Sequence, residues 1–552
     1  MNGPPTVGSI ARRRLLLALG FGVTNVAVLR RFGSGTDPDT GPGSGSPSDS
    51  TEPGDPATAP ESPDAGSARA TAVAEPAPPD EPPEIPVLDE SAARGPDHVF
   101  DLAIVGGRVI DPASGFDFVA SIGVTGSTVS AITAGPDAVP LQASETIDAT
   151  GLVVSPGFID ILSYSPNGYG EWFKLADGVT ANLGMHGLDG RADGWFAAHP
   201  DGSSPIHFGG AYDNAFVRQT YGLDAYDTAA PGTMNAIIED ARTDLRNGFV
   251  GLHMQPEYTP GTTAEDLLAH AVLAAELDVP LCVHARYSDN IAPGTNLQAI
   301  GELVQAARET GAHVHVEHIN STGGTGVMAE ALGRISDAID EGLSMTACVY
   351  PYEFWATYLK SARYQDWQEK YGISYGDLQV AGTSQRLTEQ TFDAAYASNS
   401  LTAAFAMSPT DVELPLRADF VMVGSDAILD RSHNNHPRST GCFSRVLGRY
   451  VREREVIDLP TALSKMTIQP ARLLERRCPD LRRKGRLGIG ADADITVFDP
   501  ATVADRSTIE NPAQESAGIQ WVVVEGRVAL SPDGARSEAL NGRGLQSDIG
   551  TA

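Results

Sequence analysis

Four short apolar stretches in the middle of the chain end in residues that can hold a metal ion or carry a proton. "PLCVHARYSD" places His284 after an apolar run, with Arg286 two residues further on. A strand repeats every two residues, so His284 and Arg286 share a face. In "HVHVEHIN" the same period puts His313, His315 and Glu317 on one face and Val314, Val316 and His318 on the other. With the aliphatic face lining a barrel interior, His318 is the inward candidate, while His313 and His315 face surrounding helices. "FVMVGSD" ends on Gly424, Ser425 and Asp426, and "GVTANLGMHG" carries His186 at its end. Three imidazoles and a carboxylate at neighbouring strand ends suit zinc, which takes neutral imidazoles in tetrahedral geometry and leaves one position for water. The metal lowers that water's pKa, and a carboxylate beside it accepts the proton. A lone histidine is more often a hydrogen-bonded core residue. It is the shared position at strand ends that sets His284, His318, Asp426 and His186 apart from His98, His199, His207, His253 and His270, which have no such context.

Residues at strand ends converge only if the strands are parallel and form one sheet. Short apolar runs alternate here with helical stretches such as "TAEDLLAHAVLAAEL" and "LQAIGELVQAARET", the pattern of a parallel sheet. Their number predicts an α/β protein built on a (β/α)8 TIM barrel, with the site at the C-terminal ends of the strands. The barrel is expected over 154–479, with an insertion over its mouth at about 360–417. "FDLAIVGGRVIDPASG" and "GRLGIGADADITVFDP" are short β-rich runs broken by glycine. They predict a small β-sandwich domain made from both ends of the ordered chain, 99–153 and 480–540.

Arg12, Arg13 and Arg14 precede an uncharged apolar run from Leu15 to Leu29. That run has the length of a signal h-region and is short for a membrane span. The arginine pair resembles a twin-arginine export signal, so residues 1–32 are expected to direct export. No small-x-small cleavage site follows, which leaves an uncleaved membrane tether open. Residues 33–98 are rich in Pro, Ser, Gly and acidic residues and are expected to be a disordered linker. The net charge of -32 argues against a nucleic-acid partner, which requires concentrated positive charge. The four cysteines, Cys282, Cys348, Cys442 and Cys478, are too widely spaced for a paired framework. Oligomeric state is not readable from the chain.

"PGFID" at Pro156 to Asp160, "GADADITVFDPATV" near the C-terminus, "HPRSTGCFSRVLGRYVRE" from His436 to Glu453, "CVYPY" and "MTIQPARLL" together resemble the amidohydrolase superfamily, in its D-aminoacylase (N-acyl-D-amino-acid deacylase) branch. The likeness spans about residues 99–530 and implies a barrel beside a β-sandwich. Carried over by position, it implies metal ligands at His284 and His318 and a catalytic aspartate at Asp426. A cysteine ligand of the family falls on His186 if the local alignment is one residue shorter, and a substrate-site tyrosine falls on Tyr350. The family's arginine after the first histidine falls on Arg286, and a lysine beyond the second is Asn320 here.

After PGFID the superfamily carries His-x-His, whereas this chain has Leu162, Ser163 and Tyr164. One of two metal positions is therefore expected to be lost, leaving one zinc ion in the beta position on His186, His284 and His318. The resemblance implies a small-molecule substrate, an N-acyl-D-amino acid, whose amide is cleaved by activated water with Asp426 as general acid and base. Tyr350 would donate to the oxyanion, and Arg286 or Arg438 would bind the free carboxylate. Hydrolysis of another C–N or ester bond, and a silent binding protein on the same fold, remain alternatives.

Overall fold

Short runs of Val, Ile and Leu bounded by glycine and proline build the strands of a computed structural model that describes residues 83–550 except 137, 165, 166, 536 and 537. The expected export signal and the linker as far as residue 82 lie outside the described residues. Among the described residues, no helix is long and apolar enough to cross a membrane. Order begins ahead of Phe100: Leu88 and Asp89 donate their backbone N–H groups to Ile489.

Eight parallel strands form the barrel. In order they are Phe158–Asp160, Val179–Gly184, His207–Gly210 continuing into Tyr212–Asp213, Leu252–Met254, Leu281–Val283, Val314–Val316, Met345–Val349 and Val421–Val423. Each pairs in parallel with the next. The last meets the first through a parallel bridge between Ser163 and Ala427, and Asp426 donates its N–H to the Leu162 carbonyl at 2.6 Å. Helices between strands start where the sequence supplies caps. Thr263 with Asp266, and Thr295 with Gln298, form reciprocal boxes opening Ala264–Leu277 and Asn296–Thr310. Gly311, left-handed at φ 72°, ends the second of these.

Strand register sorts the side chains into two shells. Leu252, Leu281, Val314 and Met345 stand side by side and pack with Leu267, Ile300, Leu303 and Ile335 of the helices. His253, Cys282, His315 and Thr346 form the alternate row. Cys282 packs with Ile159, Leu183, Val250 and Met422 inside the barrel. The sixth strand is thus turned opposite to the sequence expectation: Val314 and Val316 face the helices, and His315 and Glu317 face inward. The reason is that both faces of a barrel strand are buried. The wide apolar layer between sheet and helices takes the aliphatic residues, and the narrow interior takes small and polar ones.

Both ends of the described chain pair in one sheet, nine-stranded among the described residues, with Val153–Pro156 antiparallel to Ile495–Phe498 at its centre. It has its own core around Ile104, Ile122, Val154 and Ile495. The stretch between the seventh and eighth barrel strands folds into a three-stranded antiparallel sheet, Trp355–Tyr358, Leu378–Val380 and Leu401–Ala404. All four cysteines are free and buried.

Candidate metal and catalytic centre

His284 follows the fifth barrel strand, and His318 follows the sixth. By alternation His318 would point outward with Val316. It reaches the interior because its backbone turns to φ 27°, an uncommon left-handed value outside glycine. Nδ1 of His284 and Nε2 of His318 lie 3.1 Å apart. The rings of His284 and His318 lie 5.8 and 5.3 Å from that of His186. Ligand atoms of the three fall within 4.8 Å of one another, and all three side chains are buried.

Each ring gives its other nitrogen to a partner behind it. His186 Nδ1 donates to Glu317 Oε2 at 2.5 Å, His284 Nε2 donates to Glu257 Oε2 at 2.7 Å, and His318 Nδ1 stands 3.1 Å from the Thr322 hydroxyl. Carboxylates only accept, so the protons of His186 and His284 sit on those nitrogens and the lone pairs turn inward. Nε2 of His186 is buried with no partner. Burial pushes His318 well below the usual imidazole range, with His284 and His186 adding to the shift. Burial also lowers His284, against the pull of Glu257. Two ligands of a tetrahedral zinc, each bonded at about 2.0–2.1 Å, stand about 3.4 Å apart, close to the separation seen. The donor set therefore fits a zinc ion, with a partner behind each ring as metal-bound histidines usually have.

Asp426 lies beyond the eighth strand, left-handed at φ 53°. Arg438 Nη2 holds its Oδ2 at 2.7 Å, and Arg438 Nε donates to its carbonyl at 2.8 Å. Oδ1 is buried without a partner. The Arg438 guanidinium also covers the ring of Tyr350 at 4.7 Å. Tyr350 Oη is buried and unpartnered. Burial pushes its phenol up to about 12, with Arg438 opposing, so it stays a donor at neutral pH. Arg286 turns away from this cluster: its guanidinium spans Glu302, at 2.8 Å, and the Thr262 carbonyl, at 2.7 Å.

Where His-x-His would stand, Leu162 is buried in the barrel interior. The Tyr164 ring lies edge-on to His186 at 4.7 Å, and burial pushes its phenol far above its usual range. Neither side chain offers an imidazole. Beneath them Lys174 Nζ donates to Asp160 Oδ2 at 2.6 Å and to Ser425 Oγ at 2.7 Å. Asp160 Oδ1 accepts the N–H groups of Leu162 and Ser425, each at 3.1 Å. This buried pair ties the first strand end to the eighth and so places Asp426. Lys174→Met leaves the Asp160 carboxylate buried without a countercharge. It is expected to destabilise the fold by about 3–5 kcal/mol, read as a lower urea midpoint at unchanged m-value.

Glu317, His253, Glu257, Asp160, Lys174 and Arg363 also belong to this region, and none of them was a site candidate in the sequence. His253 lies inside the strand Leu252–Met254, with Glu257 four residues on, so no strand end marked it in the sequence. Burial opposes a charge on His253, but Glu317 and Asp213 outweigh it and push the imidazole up to about 9. Arg363 comes from the insertion and lies 3.6 Å from Glu257, and its guanidinium covers the Trp355 ring at 4.0 Å. His436 accepts the Arg438 N–H at 2.9 Å and stacks on Phe354, fixing the loop after Asp426.

A closed eight-stranded barrel with histidines and an aspartate at its strand ends defines a metallohydrolase-type centre, and the sequence profile of the amidohydrolase family matches residues 175–530. The chain belongs to that family. Within it the likeness runs to the D-aminoacylase branch. The N-acyl-D-glutamate deacylase of Alcaligenes xylosoxydans xylosoxydans is 31% identical over 82% of this chain and 98% of its own length. The D-aminoacylase of the same organism is 30% identical over 77% and 94%. The solved N-acyl-D-glutamate deacylase of Bordetella bronchiseptica, in complex with zinc and a phosphonate mimic of the tetrahedral intermediate, superposes with a TM-score of 0.68. It is 26% identical and covers 81% of this chain and all of that one.

Proposed function

We propose that this protein hydrolyses the amide bond of N-acyl-D-amino acids, using one zinc ion held by His186, His284 and His318. The observation that carries this reading is the convergence of three imidazoles, each fixed from behind, at the barrel mouth where Asp426 keeps one buried oxygen free. Zinc there would polarise the carbonyl and acidify water. Asp426 Oδ1 takes the proton of the attacking water and returns it to the leaving amine. Arg438 fixes the other carboxylate oxygen, so the accepting lone pair keeps its aim. Tyr350 Oη donates to the oxyanion as the carbonyl becomes tetrahedral. The substrate carboxylate is given to the buried guanidinium groups of Arg438 and Arg363, of which Arg363 has an Nε without a hydrogen-bond partner. Arg286, spread over Glu302 and Thr262, is given the role of holding the loop after the fifth strand. Export by the Arg13-Arg14 segment is part of the same proposal and rests on the sequence alone; fractionation of expressing cells tests it.

The test is zinc per chain by elemental analysis on the full-length protein, followed by a panel of N-acetyl-D- and L-amino acids with acidic and aliphatic side chains. About one zinc per chain and turnover confined to D-isomers support the reading. No metal after expression with zinc supplied overturns it and favours a silent binding protein. Metal without amide turnover moves the reaction to another C–N or ester bond.

A further inference from the structure

From His186, three buried side chains, Glu317, His253 and Asp213, run in a row across the barrel interior. Glu317 Oε2 accepts from His186 Nδ1 at 2.5 Å and lies 3.3 Å from His253 Nε2. His253 Nδ1 in turn lies 3.7 Å from Asp213 Oδ1. Register builds the row: Asp213 pairs with His253, and His253 with Cys282, which is beside His315, two residues before Glu317. Both Glu317 and His253 are fully buried. Glu317 caps no helix, and its Oε1 has no partner. Burying an ion costs several kcal/mol, so a carboxylate in this place needs a compensating task.

His186, His253 and Glu317 also group as possible ligands, but an ion does not fit among them in this arrangement. Ligand atoms at about 2.1 Å from one metal stand about 3 Å or more apart, and the 2.5 Å contact between His186 and Glu317 is a direct hydrogen bond. The task lies one ring away. Three neutral imidazoles bring no charge to a divalent ion, and Glu317 is a carboxylate bonded to one of them. We propose that Glu317, braced by His253 and Asp213, is a positioning residue that locks His186 with its Nε2 lone pair toward His284 and His318, and that the Glu317–His186 pair acts as the anionic ligand of the centre.

This rests on the zinc reading, and the experiment separates the two. Zinc affinity is measured on full-length protein by competition with a chromophoric chelator, for the parent, Glu317→Gln, His186→Cys and the double variant. Glu317→Gln is expected to weaken zinc binding by about 10–100-fold, the effect of losing an outer partner of a metal-bound histidine. In the His186→Cys background a thiolate carries its own charge, and Glu317→Gln is expected to change affinity by less than about threefold or to improve it. Unchanged affinity of Glu317→Gln in the parent, or equal losses in both backgrounds, overturns the proposal. No zinc in the parent overturns the metal reading instead. If Glu317→Gln does not fold, His253→Gln, which frees one side of Glu317, is measured in the same two backgrounds, and equal effects in both again overturn the proposal.

Discussion

Asp426→Asn is expected to lower kcat by about 10²–10⁴-fold, the range for loss of a positioned proton-transfer group, while zinc content and KM stay near those of the parent. The substitution is chosen for its backbone as much as for its charge. Asp426 is left-handed at φ 53°, a conformation asparagine tolerates and most residues do not. The amide oxygen can still accept from Arg438 Nη2, which now holds Oδ2 at 2.7 Å. What is lost is the basic lone pair on the buried, unpartnered Oδ1. Steady-state kinetics on the best N-acyl-D-amino acid, with zinc measured on the same samples, checks the prediction. A loss under tenfold removes Asp426 as the base, and a parallel loss of zinc makes it a structural contributor to the metal centre.

The second large effect is on metal retention. His318→Asn is expected to take zinc per chain from about one to near none, a larger loss than the 10–100-fold cost of an outer-shell change. Asparagine again suits the left-handed backbone, here at φ 27°, so the strand end is kept while the imidazole is removed. Its shorter amide is a poor zinc ligand, and it also abandons the Thr322 hydroxyl that stands 3.1 Å from His318 Nδ1. Equilibrium dialysis against zinc, with a thermal melt in chelator as the fold control, reads the result. A variant that keeps full zinc and activity would place the ion elsewhere and remove His318 from the centre.

Asp426 was visible in the one-dimensional chain because it stands where an apolar run stops, whereas His318 was named for an aliphatic face that in fact meets the helices, and its left-handed backbone brings it inside. His284 after "PLCV", His186 after "TANLGM" and Asp426 after "FVMVGS" mark barrel strand ends whose side chains are free of the sheet. Glu317 and His253 were less visible for a physical reason. When both faces of a strand are buried, alternation says which residues share a face and not which face turns inward. The aliphatic pair Val314 and Val316 went to the helix layer, which carried His315 and Glu317 into the barrel. Arg363 was hidden differently: it lies in an insertion whose fold no periodicity announces, and only its docking beside Glu257 brings it to the mouth.

The sequence by itself determined the alternation of strands and helices, the β-rich character of both ends of the ordered chain, the absence of an imidazole at Leu162 and Tyr164, and the short set of strand-end residues able to do chemistry. These follow from local periodicity and residue type, which the chain carries at every position. Tertiary structure alone decided which of those residues meet. The hydrogen bond of His186 to Glu317, the pairing of Asp426 with Arg438 and the burial of Lys174 against Asp160 join residues on different elements. Their distances depend on barrel closure and on two left-handed backbone turns, and those are set by packing of the whole barrel and not by any local pattern.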